Sequence, residues 1–144
     1  MADNGASSDL QVGFIGLGSQ GGPMARHLGE SDFALTFWAR RPQLTAPFED
    51  IVEVALSPAK LGAGSDIVGI CVMGDADVDE VILRDDGVLA GMAAPGGVIA
   101  IHSTLHPDTC RARATRAGHV DVDVLAEPVL LLEGALQTLL LLER

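Results

Sequence analysis

Residues 12–28 read VGFIGLGSQGGPMARHL. An apolar run climbs to Gly16, breaks into Gly16-x-Gly18-x-x-Gly21, and resumes with helical spacing. Few features restrict a fold more. A short continuous apolar run predicts a strand buried on both faces, and apolar residues at three- and four-residue intervals after it predict a helix. Each glycine at that junction has its own physical reason. The first permits a tight turn, the second lets a ligand approach the backbone, and the third lets the helix lie close on the strand. The N–H groups of the helix's first turn, at the positive end of its dipole, then face whatever anion sits over the loop. The pattern predicts a phosphate-binding turn at the carboxyl edge of a parallel sheet.

The rest of the chain repeats the alternation. Strands are expected at 12–16, 33–39, 51–55, 66–73, 96–103, 119–128 and 138–143. Helices are expected from Gly21, over SPAKLGAG with Ser57 as N-cap and Pro58 at the first helical position, over DADVDEVIL, and over HPDTCRARATRAG with Pro107 near its start and Gly118 as its stop. RRPQLTAPFED between the second and third strands reads as a proline-broken connection. Strands alternating with helices imply an α/β fold: a doubly wound, mostly parallel sheet of Rossmann type in three layers, α/β/α. Residues 1–11 read as a flexible polar tail and 12–144 as one dinucleotide-binding domain.

Composition narrows the class of partner. The formal charge of −11 argues against a nucleic-acid or anionic-membrane partner, and requires any anionic ligand to be captured by local donors. No apolar run approaches the roughly 20 residues that cross a bilayer, and MADNGASSDLQ lacks the features of a secretory signal. Cys71 and Cys110 are isolated, which suits a reducing cytoplasm. No metal-ligand spacing is present.

Cofactor choice in such a fold is read at the end of the second strand, where an NAD site carries Asp or Glu to hold the ribose hydroxyls. Here the sequence is LTFWARRP. Ala39 stands at that position and accepts no hydrogen bond, while Arg40 and Arg41 follow at once. Two guanidiniums there suit the 2′-phosphate of NADP through charge-assisted, bidentate bonds.

GFIGLGSQGGPMARHL resembles the N-terminal signature of the β-hydroxyacid dehydrogenases, the family of 3-hydroxyisobutyrate and 6-phosphogluconate dehydrogenases. Gly16, Leu17, Gly18, Gly21, Pro23, Met24, Ala25 and Leu28 match its pattern. Gln20 stands where the family favours Met, and His27 where it favours Asn. SDIVGICVMGDADVDEVI resembles the family's fourth strand and following loop, and VIAIHSTLHPDT its S-T-x-x-P segment. The resemblance implies a nicotinamide dinucleotide, NADP rather than NAD, held by Gly16, Leu17, Gly18, Ser19, Gln20 and Gly21 at the pyrophosphate. It implies Ala39, Arg40 and Arg41 at the adenosine ribose, Val72 and Met73 along the cofactor, and Ser103 and Thr104 beside the nicotinamide ribose.

The resemblance weakens past the sixth strand. The family's D-A-P-V-S-G-G holds the substrate carboxylate, and Pro128 and Val129 match it, but Leu130, Leu131 and Leu132 stand where S-G-G belongs. Leucines make no hydrogen bonds to a carboxylate, and burying one against them is costly. The family's acid–base lysine belongs to the first helix beyond the dinucleotide domain, a stretch outside this sequence. The only lysine here is Lys60, read as a surface helix residue.

No catalytic residue is therefore assigned. His102 and His106 fall at the sheet's carboxyl edge, where a strand end and an exposed loop account for them. Asp75, Asp77, Asp79 and Glu80 read as a solvated helix start that complements the dipole. Trp38 reads as packing at the sheet edge.

Three functions fit: the NADP-binding domain of a hydroxyacid dehydrogenase, incomplete for turnover as this chain; an imine-reductase-like relative; or a non-catalytic NADP(H)-binding module. In the last, the apolar strand at 138–143 would serve a homodimer or other assembly contact.

Overall fold

The computed structural model describes residues 9–92, 97–103, 108, 111, 112, 115 and 122–126. Six strands form one sheet: β1 (Gln11–Ile15), β2 (Ala34–Trp38), β3 (Glu53–Val54), β4 (Ile67–Ile70), β5 (Gly97–Ile101) and β6 (Val122–Ala126). Their order is β3-β2-β1-β4-β5-β6, and every neighbouring pair is parallel. This is the doubly wound order in which chain direction across the sheet reverses between β1 and β4. Four helices are described: α1 (Gly21–Gly29), α2 (Pro58–Ala63), α3 (Asp75–Leu83) and α4 (Val88–Gly91).

Alternation along β1 explains how the layers assemble. Val12 and Phe14 point to one face, where they pack with Ala25 and Leu28 of α1 and with Leu35, Phe37 and Phe48. Phe37 sits edge-on to both Phe14 and Phe48, at centroid distances of 6.1 and 5.3 Å. Ile15 points to the other face, with Leu61 of α2, Val68 and Ile70 of β4, Val78, Val81 and Ile82 of α3, and Val88 of α4. Gly13 shares that second face. A Cβ there would come within 2.4 Å of the Leu61 side chain, so its absence lets α2 press onto the strand. Strands covered on both faces explain why β1 and β4 read as unbroken apolar runs.

The helix ends follow the sequence signals. Ser57 caps α2, its Oγ accepting from the Lys60 N–H at 3.1 Å, with Pro58 in the first turn. Asp75 and Asp77 occupy the first turn of α3, where they complement the dipole.

Several boundaries differ from the sequence reading. The fourth strand is shorter than 66–73: residues from Cys71 onward leave the ladder and turn toward α3. The connection after β2 carries two 3-10 turns, Pro42–Leu44 and Ala46–Phe48, each with proline in its first turn. Helix α4 was not expected. A four-residue turn has too few positions for a helical period to register. Residues 108, 111, 112 and 115 are helical, within the span expected for the helix that starts near Pro107. Gln11, the last residue of the expected tail at 1–11, already pairs in β1, while residues 1–8, Thr104, His106, Cys110, the leucines at 130–132 and the expected strand at 138–143 lie outside the described residues.

Candidate functional site

The turn after β1 shows why each glycine is there. Gly16 has φ of 98°, in the left-handed region, and a Cβ on it would fall 1.9 Å from the Cys71 carbonyl oxygen. Gly21 opens α1 so close beneath the turn that a Cβ would stand 1.7 Å from the Gly16 carbonyl oxygen and 3.3 Å from Cys71 Cβ. Gly18 is different. It is exposed, its φ lies outside the left-handed region, and a Cβ on it would meet nothing within 4 Å. Nothing within the described fold requires glycine at 18. The space above it is open to a ligand that must reach the backbone.

The turn is tied to its neighbours. Gly22 N–H donates to Gly18 O at 2.8 Å, closing the loop onto the first turn of α1. Gly16 N–H donates to Trp38 O at 3.4 Å and Cys71 N–H to Ile15 O at 2.8 Å, which fixes the loop against the ends of β2 and β4. Gln20, the N-cap of helix α1, makes no side-chain cap hydrogen bond, and the helix has no acidic residue in its first turn. Its end therefore presents N–H groups and a positive dipole with no internal carboxylate to neutralise them.

These elements meet in a cleft of about 440 Å³ at the carboxyl edge of the sheet. Gly16, Leu17, Gly18, Ser19, Gln20 and Gly21 form its floor, Ala39, Arg40 and Arg41 one wall, and Val72 and Met73 the opposite wall. The sequence reading named all of these. Ile15, Trp38, Leu44, Cys71, Asp77 and Val81 also line the cleft. Trp38, the last residue of β2, is half-buried, packs against the core cluster that includes Ile15 and Val81, and shows its remaining surface to the cleft at the carboxyl edge of the sheet. The cleft straddles β1 and β4, the reversal point where ligands bind in open parallel sheets.

Ser103 is placed behind the wall. It is buried, and its Oγ accepts from the Val72 N–H at 2.9 Å, so among the described contacts it acts as a prop for the loop after β4. His102 lies just past β5 with its N–H donating to Ile70 O at 2.7 Å, and it is not part of the cleft lining. The Cys71 thiol is buried, and that burial pushes its pKa above the ordinary thiol range. Lys60 lies on α2, away from the cleft. Among the described residues, no group of His, Cys, Asp and Glu could hold a metal ion, and no helix is long and apolar enough to cross a membrane.

The sequence reading missed the partner of Arg40. Its Nη2 donates to Asp77 Oδ1 at 3.2 Å and to Glu80 Oε2 at 2.5 Å. The signal was present in the spacing: residues three apart on a helix share a face. Only the fold shows that this face looks across the cleft at the end of β2.

Residues 11–131 match a family model described as the NAD binding domain of 6-phosphogluconate dehydrogenase. An uncharacterised oxidoreductase of Mycobacterium tuberculosis, Rv0770, is 37% identical over 119 residues, covering 83% of this chain and 40% of the relative. A probable mitochondrial 3-hydroxyisobutyrate dehydrogenase-like protein of Arabidopsis thaliana is 32% identical over 123 residues, covering 85% of this chain and 41% of the relative. The crystal structure of a putative oxidoreductase from Mycobacterium avium superposes with a TM-score of 0.71 at 33% identity, covering 84% of this chain and 42% of that one. This chain thus spans about two fifths of the length of the relatives it matches.

Proposed function

The chain belongs to the family of the NAD-binding domain of 6-phosphogluconate dehydrogenase, and on that premise we propose that it is the NADP(H)-binding domain of a cytoplasmic oxidoreductase acting on a β-hydroxyacid. The observation that carries the choice of NADP(H) is the end of β2, where Ala39 is followed by Arg40 and Arg41 on the wall of the cleft. An alanine offers the ribose hydroxyls no acceptor, and two guanidiniums beside it suit a phosphate on that ribose.

The cleft fits the group. The bare backbone at Gly18 leaves room for a pyrophosphate that a side chain would exclude. The uncapped start of α1 supplies N–H groups and dipole for its charge. Arg40 and Arg41 bind the 2′-phosphate, while Val72 and Met73, braced by Ser103, form the apolar wall along which the cofactor lies. The bound group supplies a hydride donor or acceptor. The residues of this chain bind and orient it. What this proposal assigns to the described residues is cofactor capture.

The test is a titration of the 144-residue chain and its Arg40→Ala/Arg41→Ala variant with NADPH and with NADH. The variant loses about 1–3 kcal/mol of NADPH affinity, the scale of charge-assisted hydrogen bonds, with NADH barely changed. Equal losses for both dinucleotides would refute the assignment of the arginines to the 2′-phosphate.

A further inference from the structure

Arg40 and Arg41 are adjacent in sequence, yet the structure gives them different circumstances. Arg41 is exposed and makes no ion pair among the described residues. Arg40 is committed to α3, with Nη2 shared between Asp77 and Glu80. That nitrogen carries two protons, and the two carboxylates take both. Glu80 is held from its other side by Arg84, whose Nη1 lies 3.8 Å from Oε1. Arg84 is in turn anchored on Asp86, with Nη2 donating to Oδ2 at 3.0 Å. Asp77 is itself part of the cleft wall. The chain of charges runs from Arg40, just past β2, along α3 to Asp86, with Arg40 and Asp77 in the cleft lining.

We infer that Asp77 and Glu80 are positioning residues that set how strongly the cleft discriminates a phosphorylated from an unphosphorylated adenosine ribose, because they hold the Arg40 guanidinium for which a 2′-phosphate must compete. The inference rests on the NADP(H) reading of Arg40 and Arg41. A 2′-phosphate that takes the Nη2 protons displaces two carboxylates, and it stays close to both once it has done so. Like charges at such range repel, and the repulsion is only partly screened at a half-exposed rim. A ribose with a free 2′-hydroxyl meets neither cost. The carboxylates therefore lower affinity for the phosphorylated ligand alone, and they leave Arg41 as the guanidinium that meets it first.

The experiment uses adenosine fragments, so that only this end of the cleft is read. The 144-residue chain is titrated with 2′,5′-ADP and with 5′-AMP, as are its Asp77→Asn, Glu80→Gln and doubly substituted variants, each checked by thermal melting. The double variant binds 2′,5′-ADP about 5- to 20-fold tighter, the scale of two half-exposed ion pairs removed, and 5′-AMP within about twofold of the original. Asp77→Asn alone shows part of the same gain. In an Arg40→Ala background the gain is at least halved, because the part that comes from competition for that guanidinium is gone and only the direct repulsion remains.

An unchanged preference, an equal gain for both ligands, or a gain undiminished by loss of Arg40 overturns the inference. So does a loss of 5′-AMP binding in Asp77→Asn, which would make Asp77 a direct ribose ligand. A chain that shows no preference for 2′,5′-ADP before substitution contradicts the NADP(H) reading instead, so the two failures are distinguishable.

Discussion

Replacing Gly18 with valine separates binding from folding. The glycine is exposed, its φ lies outside the left-handed region, and an added Cβ meets no heavy atom within 4 Å. The fold meets no clash at the added Cβ. The folded state changes by less than about 0.5 kcal/mol, and restricting the unfolded chain offsets part of even that. For a chain of this size the melting temperature moves by no more than about 2 °C. The ligand's position is different. A pyrophosphate reaching the loop's N–H groups must occupy the space that the valine methyl groups fill. Losing one or two charge-assisted hydrogen bonds costs about 2–4 kcal/mol, which is roughly 30- to 700-fold in affinity. Calorimetric titration with NADPH and with NADH, alongside thermal melts, reads both quantities. Both dinucleotides lose affinity by that factor and the melting temperature holds. If the variant bound either dinucleotide like the original chain, the pyrophosphate would not pass over Gly18. If it melted many degrees lower, Gly18 would be a structural glycine and the reasoning would be wrong at its first step.

Gly21→Ala has the opposite signature: its Cβ would lie 1.7 Å from the Gly16 carbonyl oxygen, so α1 must shift and stability falls by about 3 kcal/mol or more, seen in denaturant unfolding. Ser57→Ala removes the oxygen that accepts the Lys60 N–H at 3.1 Å, and unfolding shows a loss of about 1 kcal/mol with dinucleotide affinity unchanged. The Cys71 thiol, with its pKa raised by burial, resists alkylation in the folded protein and reacts on denaturation. The folded thiol holds its proton more tightly than the unfolded one. Its stabilising contribution is therefore complete below the ordinary thiol pKa and fades as pH rises through the raised value, which alkaline unfolding of Cys71→Ala against the original chain would detect.

Much of the site was legible because its requirements are local. The three glycines, the strand before them and the helix after them lie within 17 residues, and the steric reason for Gly16 and Gly21 is carried by the backbone alone. The end of β2 was legible for a related reason: a parallel sheet brings successive strand ends to one edge, so Ala39, Arg40 and Arg41 had to lie near the glycine turn.

What the sequence did not disclose depends on approach across the cleft. Asp77 and Glu80 carry the right spacing for a shared face, but 37 and 40 residues separate them from Arg40, and the rotation of α3 decides which charge that face meets. Ser103 illustrates the same limit. It was expected as the last residue of the fifth strand, but β5 ends at Ile101, and the hydrogen bond of Ser103 to Val72 follows from how far the loop after β4 bends away from the ladder. The shortened β4 has that origin too, since an apolar run such as IVGICVM looks the same whether its last residues pair in the sheet or line a cleft.

Under the proposed function, this cleft takes a nicotinamide dinucleotide and prefers the one carrying a 2′-phosphate. The most direct test is calorimetric titration of the unmodified 144-residue chain with NADPH and with NADH at one fixed salt concentration. Saturable binding of NADPH, tighter than that of NADH by about tenfold or more, is the result that two guanidiniums at the ribose predict. Tighter binding of NADH, or binding of neither, would contradict it.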